Sequence, residues 1–149
     1  MATASPNTPN PARGREFALA VGRFFEREGL RLSPEHSIEI GAAGERRPHC
    51  FDLGADDPPT LVECERHTWT EGANAPSAKM SVWNEAMYYF MLAPCTHRRI
   101  LAVARDIQGG RSLAEYYLSR FRHLIPAGVE IWEFDVLAET GKCVYPLVE

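Results

Sequence analysis

Hydrophobic residues recur at helical spacing near the start of the chain, and a glycine follows them. The repeat consists of Phe17, Val21, Phe24 and Phe25. Intervals of three and four residues place such side chains on one face of a helix. Gly29 comes next, and glycine is the usual residue where a helix ends in the left-handed conformation. The pattern therefore predicts a first helix over residues 15–29.

Three segments that read as extended strands follow, with glycine, proline and aspartate between them. They are Ser37–Ile40, Cys50–Gly54 and Thr60–Trp69. The run Asp56-Asp57-Pro58-Pro59 separates the last two, and such residues terminate strands and form turns. We therefore expect an antiparallel three-stranded meander.

The second half of the chain alternates helices and strands. A helix is predicted over Ser77–Leu92, where apolar side chains form a stripe of Met80, Trp83, Met87, Phe90 and Met91. The segment Ile100–Ala104 is apolar at every position, as expected for a central strand that is covered on both faces.

A third helix and a last strand complete the predicted order. Ser112 and Glu115 have the spacing of a capping box, which begins a helix with an apolar face of Leu113, Tyr116, Tyr117, Phe121 and Leu124. The last predicted strand is Val129–Phe134. The order αβββαβ, extended by one helix and one strand, predicts the α/β class with a mixed central sheet and helices on both faces.

Composition supports one ordinary globular domain. The chain has 149 residues, of which 45% are hydrophobic and 24% charged, and one domain usually takes about 100 to 200 residues. Residues 1–14 are rich in proline and polar residues and are predicted to be a flexible tail, which leaves residues 15–149 as the domain. No apolar stretch approaches the roughly 20 residues that span a bilayer, and no signal-peptide pattern is present, so we expect a cytoplasmic protein without a membrane segment.

Charge and cysteine spacing exclude two classes of site. Sixteen basic and 20 acidic residues give a net charge of −4, which argues against a protein that binds nucleic acid through a polybasic surface alone. The four cysteines lack CxxC spacing and clustered histidines, which argues against a zinc site and favours free thiols in a reducing compartment.

Three carboxylates are expected at the end of the second and third strands. Glu63 and Glu65 share one strand face because side chains alternate across a strand. Antiparallel pairing through the preceding turn would bring Asp52 close to Glu63. Converging carboxylates repel one another unless a cation is bound, and oxygen ligands suit Mg²⁺ or Mn²⁺. The alternative is that both glutamates line the solvated face of a half-exposed strand.

This arrangement resembles the signature of the PD-(D/E)XK nuclease superfamily, in which an aspartate on one strand precedes Glu-x-Lys on the next. Here Asp52 is followed by Glu63-Cys64-Glu65, and the predicted element order matches the family core over residues 15–105. The resemblance implies a restriction-endonuclease-like fold. It also implies that Asp52, Glu63 and the backbone carbonyl of Cys64 bind Mg²⁺ or Mn²⁺.

The chain departs from the family at the lysine position, which Glu65 occupies. A carboxylate there can act only as a further metal ligand or as a base. Some family members place the lysine on the following helix, and Lys79 lies in the first turn of that helix. Lys79 is therefore a candidate catalytic residue with Asp52, Glu63 and Glu65; the alternative is an ordinary solvated lysine.

The resemblance implies metal-dependent phosphodiester hydrolysis of nucleic acid, with DNA favoured over RNA. The competing hypothesis is a catalytically inactive binding or scaffold module of the same fold, which has lost the lysine. A homodimer or a partner protein is compatible with either function.

Further residues are weaker candidates. His67 shares the strand face of Glu65, and Glu28 and Glu85 are acids on the first and second helices. A segment beside the site and two arginine pairs could contact bases or phosphates: Trp69, Thr70, Gly72 and Asn74, then Arg98 with Arg99 and Arg120 with Arg122. For each of these residues, packing or solvation is the simpler interpretation.

Overall fold

The computed structural model describes residues 11–70 and 76–147 of the chain. The helices are α1 (Pro11–Arg27), α2 (Ser77–Leu92) and α3 (Leu113–Phe121). The strands are β1 (Ser33–Ile40), β2 (Arg47–Asp56), β3 (Pro59–Glu65), β4 (Arg98–Ala104), β5 (Ile107–Gln108), β6 (Arg111–Ser112), β7 (Val129–Asp135) and β8 (Thr140–Tyr145). Among these described helices, none is long and apolar enough to cross a membrane.

Six strands form one mixed sheet in the order β1-β2-β3-β4-β7-β8, and β5 and β6 form a separate small hairpin. The first three strands are an antiparallel meander, β3, β4 and β7 run parallel, and β8 is antiparallel to β7. The apolar face of α1 covers one side of the sheet, and α2 and α3 cover the other. The predicted α/β class, the αβββαβ core and the helices on both faces are confirmed.

Strand β4 is the centre of both cores. Ile100, Ala102 and Ala104 pack on the α1 side. Leu101 and Val103 pack on the side of α2 and α3. All five side chains are buried, which confirms that the continuous apolar run is a strand covered on both faces.

Helix α1 begins earlier than predicted, so the proposed tail boundary is corrected. Residues 11–14 are helical rather than part of a tail, and Pro11 is the first helical residue. Proline is favoured at that position because its missing N–H would have no partner inside the helix. Residues 1–10 lie outside the described part of the chain.

Gly29 terminates α1 as predicted, and the last helical residue is Arg27, two positions earlier. Gly29 has φ +91°, and the Leu30 N–H donates to the Phe25 carbonyl at 2.8 Å. This is the Schellman arrangement, which satisfies carbonyls that the helix leaves without partners.

Several strand boundaries differ from the prediction. β1 begins at Ser33, and β3 ends at Glu65 rather than Trp69 because its pairing with β4 ends at Glu65–Val103. Strand β8 and the β5–β6 hairpin were not predicted. β8 reads Thr-Gly-Lys-Cys-Val-Tyr and none of its residues is fully buried, so it lacks the alternation that marks a half-buried strand.

The Ser112 N-cap of the predicted capping box is confirmed, while two apolar stripes are shorter than predicted. The Ser112 hydroxyl accepts from the Glu115 N–H at 3.1 Å. Leu124 lies in a 3₁₀ turn after α3 and is 44% exposed. Met91 is 56% exposed, because the buried face of α2 follows the spacing from Met80 to Phe90 and turns away from the core at Met91.

The guanidinium groups of Arg98 and Arg99, which were candidates for phosphate contacts, bind other groups of the protein. Arg98 makes two hydrogen bonds to the Glu130 carboxylate, at 2.8 and 3.0 Å. Arg99 is buried and donates to the main-chain carbonyls of Phe90, at 3.1 Å, and Ala127, at 2.6 Å. Arg99 therefore joins the end of α2 to the loop before β7.

Replacing Arg99 should destabilise the fold. Arg99→Met removes both hydrogen bonds. The Phe90 carbonyl keeps the Ala93 N–H and Ala127 is exposed, so we expect a loss of about 1 to 3 kcal/mol in the free energy of unfolding, the range for a hydrogen bond to a charged group. Urea denaturation measures this loss. Arg98→Met is the matched control and should cost about 1 kcal/mol or less, because Arg98 is partly exposed. Equal losses in the two variants would contradict the structural role of Arg99.

Candidate active site

The site lies where β2 and β3 separate. Their antiparallel pairing runs from Asp56–Pro59 to Leu53–Val62 and goes no further, although both strands continue. Beyond that point β2 pairs only with β1, and β3 pairs only with β4. The two strands therefore leave a gap in the sheet beside Asp52.

Strand β2 changes face at Asp52. Phe51 packs on the side of α2 and α3, whereas Leu53 packs on the α1 side, although residues two apart in a regular strand share a face. The β1–β2 pairing skips Asp52 and its partner position Glu35, which has φ +53°. This irregularity turns the Asp52 side chain into the gap.

Asp52 bridges the gap by binding the backbone of β3. Its Oδ2 accepts a hydrogen bond from the Cys64 N–H at 2.7 Å. The N–H and C=O of a strand residue point to the same neighbouring strand, so the Cys64 carbonyl faces the gap as well. The side chain of Cys64 packs on the α1 side with Val62, which confirms that Glu63 and Glu65 share the opposite face.

Glu63 is held between Asp52 and a histidine. Its carboxyl interacts with that of Asp52, which raises the pKa of Glu63 and lowers that of Asp52, and its Oε1 lies 3.1 Å from His49 Nε2. The His49 ring stacks on Tyr89, with 3.9 Å between ring centres. Glu63 is 9% exposed, so its carboxyl lies in a largely buried place.

Burial and mutual repulsion favour the protonated form of Glu63. Burial, and then the charges of Asp52 and Glu65, raise the pKa of Glu63 to about 9. Burial also raises the pKa of Asp52, against the Cys64 N–H and Glu63, which lower it. The pKa of His49 is lowered by burial. At neutral pH the His49–Glu63 contact therefore joins a neutral imidazole to a protonated carboxyl rather than two charges.

Glu65 has a pKa close to neutrality. Burial, followed by the charges of Asp52 and Glu85, raises the pKa of Glu65 to about 7. Its Oε2 lies 3.7 Å from His67 Nδ1. That nitrogen already accepts a hydrogen bond from Trp83 Nε1 at 3.1 Å, and burial lowers the His67 pKa. His67 is thus a neutral acceptor that fixes Trp83.

Lys79 does not contact the carboxylates in this structure. Its ammonium donates to the Thr68 carbonyl in the segment after β3, and its charge lowers the pKa of His67. The Lys79 ammonium is therefore bound to the main chain and not to Asp52, Glu63 or Glu65, and its catalytic role stays a prediction.

Two residues of the site were missed or undervalued from the sequence. His49 lies two positions before Phe51 on β2 and shares its face, a signal that strand alternation could have provided. Glu85 was expected to be solvated and is exposed. However, its charge acts on His49, Glu63 and Glu65, and its Oε1 accepts from the Tyr89 hydroxyl at 2.9 Å.

The remaining candidates have structural roles or lie elsewhere. Trp69 Nε1 donates to the Asp106 carbonyl at 3.0 Å, and its ring packs against Tyr116. Glu28 is exposed beyond the end of α1. The guanidinium groups of Arg120 and Arg122 lie over aromatic rings. Gly72 and Asn74 fall outside the described residues.

A cleft of about 430 Å³ reaches Asp52 from the α1 side of the sheet. Arg15 and Leu19 of α1 line it together with Pro34 and Glu35 of β1. Glu63 and Glu65 lie on the other face of the sheet, so Asp52 is the residue that connects this cleft to their carboxyl groups.

The donor atoms suit a hard cation only in part. In residues 11–70 and 76–147, no group of three or more His, Cys, Asp or Glu side chains is arranged to hold a metal ion. The carboxyl groups of Asp52 and Glu63 nevertheless interact closely enough to shift each other's pKa, and the Cys64 N–H binds Asp52 at the same gap. Mg²⁺ is commonly bound by one or two carboxylates and several waters, so this set fits such an ion.

Comparisons with known proteins support the fold. No family model matches the chain, and no curated protein matches its sequence. An fdxN element excision controlling factor protein from Anabaena variabilis is similar in structure, with a TM-score of 0.53 and 15% identity over 87% of this chain and 98% of that one. An XisH family protein from Nostoc punctiforme has a TM-score of 0.52 and 17% identity over 85% and 96% of the two chains. At such identity, the similarity establishes a shared fold.

The raised pKa of Glu63 makes stability depend on pH. The folded protein keeps this proton up to about pH 9, whereas the unfolded chain loses it near pH 4.5. Stability should therefore fall as pH rises between these values, by up to about 1.4 kcal/mol per pH unit. Urea denaturation at pH 7, 7.5 and 8 without divalent cations measures the slope.

Glu63→Gln should flatten this slope, because the amide keeps a donor for Asp52 and an acceptor for His49 and does not titrate. Glu16→Gln is the control, since Glu16 is exposed on α1, and it should keep the slope of the wild type. If Glu63→Gln and the wild type have the same slope, Glu63 is not the group that holds the proton.

Proposed function

We propose that Asp52, Glu63 and Glu65 form the active site of a metal-dependent phosphodiesterase that hydrolyses nucleic acid. The observation that carries the proposal is the gap in the sheet where Asp52 Oδ2 accepts from the Cys64 N–H at 2.7 Å and the buried Glu63 shares a strand face with Glu65. The restriction-endonuclease-like element order and the Asp-then-Glu placement support the same function. DNA is the favoured substrate, and Mg²⁺ or Mn²⁺ is the proposed cofactor.

A divalent cation would replace the proton that Glu63 holds. The proton neutralises part of the charge at this gap, and a cation bound by Asp52, Glu63 and the Cys64 carbonyl would neutralise it more fully. When bound, the ion supplies a water of lowered pKa and stabilises negative charge on the phosphate. Asp52 would be fixed in place by its bond to the Cys64 N–H.

Glu65 is suited to proton transfer. A general base is most effective when its pKa is near the working pH, and the Glu65 pKa is raised to about 7. Glu65 would therefore accept the proton of the attacking water, where the family usually has a lysine. To contact a phosphate, the Lys79 ammonium would have to exchange the Thr68 carbonyl for it.

A catalytically inactive binding or scaffold module is the second candidate. Two observations favour it: Glu65 replaces the strand lysine, and Lys79 is bound to a main-chain carbonyl instead of the carboxylates. A net charge of −4 also weakens binding to a phosphate backbone. Such a module would act with a partner protein or as a homodimer.

Divalent cations should stabilise the protein through this site. With a dissociation constant of about 1 mM, 10 mM Mg²⁺ adds roughly 1.4 kcal/mol, or a rise of about 3 to 6 °C in melting temperature at this chain length. Mn²⁺ should do at least as well. Asp52→Asn and Glu63→Gln should lose the rise, and Glu16→Gln should keep it. Asparagine is preferred to alanine at position 52 because its amide oxygen can still accept from the Cys64 N–H.

A rise that is equal in all four proteins would place cation binding elsewhere. The absence of a rise in the wild type would leave the carboxylates without a metal role and would remove the phosphodiesterase proposal.

Cleavage assays separate the two candidate functions. Wild-type protein with Mg²⁺ or Mn²⁺ should cut single-stranded or duplex DNA, and Asp52→Asn and Glu63→Gln should abolish the activity.

If Lys79 takes part, Lys79→Met should lower turnover by about 10² to 10⁴, the usual range for a general acid–base contribution. Glu65→Lys should be tolerated. Metal-dependent stabilisation without cleavage of any DNA or RNA substrate would favour the binding module.

A further inference from the structure

A second cleft, lined mainly by polar residues, lies beside β7 and β8, two strands away from β3 in the same sheet. It has a volume of about 350 Å³ and lies between the start of α3 and the β7–β8 edge of the sheet. Glu65 pairs with Val103, Val103 with Glu133, and Glu133 with Lys142. Strands lie about 4.8 Å apart, so the Glu133 backbone is roughly 10 Å from that of Glu65, with β4 between them.

Glu133 brings a buried acceptor without a donor to this cleft. Its side chain is 10% exposed, and its Oε2 has no hydrogen-bond partner. The other oxygen, Oε1, lies 3.4 Å from Nε of Arg105, whose side chain is 55% exposed. A buried carboxylate oxygen without a donor is unfavourable, because it has lost water and gained nothing in exchange. A ligand that carries an N–H group would supply the missing donor.

The charges around the cleft favour a cationic ligand. Three carboxylates line it, from Glu115, Glu133 and Asp135, against two basic side chains, Arg105 and Lys142. This leaves a formal charge of −1. Asp135 has one oxygen committed to the turn after β7, where Oδ1 accepts from two backbone N–H groups. Asp135 and Glu115 are both exposed, so Glu133 is the least exposed of the three acids that line the cleft.

The position also suits a ligand site. β4 and β7 are parallel and end at Ala104 and Asp135, and ligands in such sheets bind outside the carboxyl ends of the strands. The Arg105 N–H donates to the Phe134 carbonyl at 2.7 Å. The chain is thus tied to β7 directly after β4, and the floor of the cleft is formed by paired backbone.

We propose that this cleft binds a guanidinium or ammonium group, which donates to the Glu133 carboxylate. Two sources share this chemistry: a small polyamine, and a basic side chain on a partner protein. The site is separate from the proposed phosphodiesterase site and does not depend on it, since none of its residues contributes to the carboxylate pair of Asp52 and Glu63.

The test is an NMR titration of the labelled full chain with four probes: agmatine, spermidine, an acetyl-Gly-Arg-Gly amide and GMP. Agmatine should shift the backbone amide signals of Glu133 and of β8 near Thr140 and Gly141 in a saturable way. Stronger binding of agmatine or spermidine indicates the polyamine source. Stronger binding of the peptide indicates a partner's side chain.

Variants make the assignment specific. Glu133→Gln keeps the size of the side chain and removes its charge, so it should weaken agmatine binding about tenfold or more, as expected for a charge-assisted hydrogen bond. Glu115→Gln, at the exposed edge, should weaken binding less than Glu133→Gln. If Glu133→Gln does not fold, Lys142→Glu decides, because it adds negative charge at an exposed position and should tighten binding.

Two outcomes would overturn the proposal. Binding of GMP without binding of the three cationic probes would mean that the cleft binds a nucleotide and not a cation. No saturable shift with any probe would mean that the cleft binds no cation and that Glu133 Oε2 stays without a donor. Tighter binding is expected in Lys142→Glu, so unchanged or weaker binding there would also contradict a cation site.

Discussion

The structure depends on the burial of β4 from both sides. Every side chain from Arg99 to Ala104 is buried, so the sheet needs a helical layer on each face. α1 supplies one layer, and α2 with α3 supply the other. The parallel strands β3, β4 and β7 then end at one edge, and polar side chains that follow the apolar positions of β3 and β7 are carried to that edge. Both proposed sites arise from this arrangement.

Most of the fold could be predicted from the sequence, because the strongest patterns are the ones that the core requires. The apolar run of β4, the helical spacing in α1 and the capping box at Ser112 each correspond to an observed element. The edge of the sheet could not be predicted. β8 pairs with β7 mainly through its backbone, and its half-exposed side chains leave no regular alternation in the sequence.

The candidate site could be predicted in part: the shared strand face of Glu63 and Glu65 follows from the sequence, and the backbone geometry around Asp52 does not. Strand alternation placed Glu63 and Glu65 on one face, and the turn brought Asp52 to Glu63. The change of face at Asp52 depends on the unusual backbone of Glu35 in a neighbouring strand, which no local pattern in β2 reveals. The partner of Lys79 was equally hidden, since main-chain carbonyls such as that of Thr68 are present at every position and carry no sequence signal.

Because the Cys64 N–H donates to Asp52, this aspartate has a structural role in the sheet as well as its proposed role in the site. The two roles tolerate different substitutions. As part of the sheet, position 52 needs a short side chain with an acceptor oxygen, which asparagine also provides. As part of a charged site, it needs the carboxylate. Glu63 interacts with the side chains of Asp52 and His49 rather than with the backbone of the sheet. In relatives without the proposed activity, we therefore expect position 63 to lose its carboxyl group while position 52 alternates between Asp and Asn. Such a pattern in related sequences would separate the structural role of position 52 from its proposed role in the site.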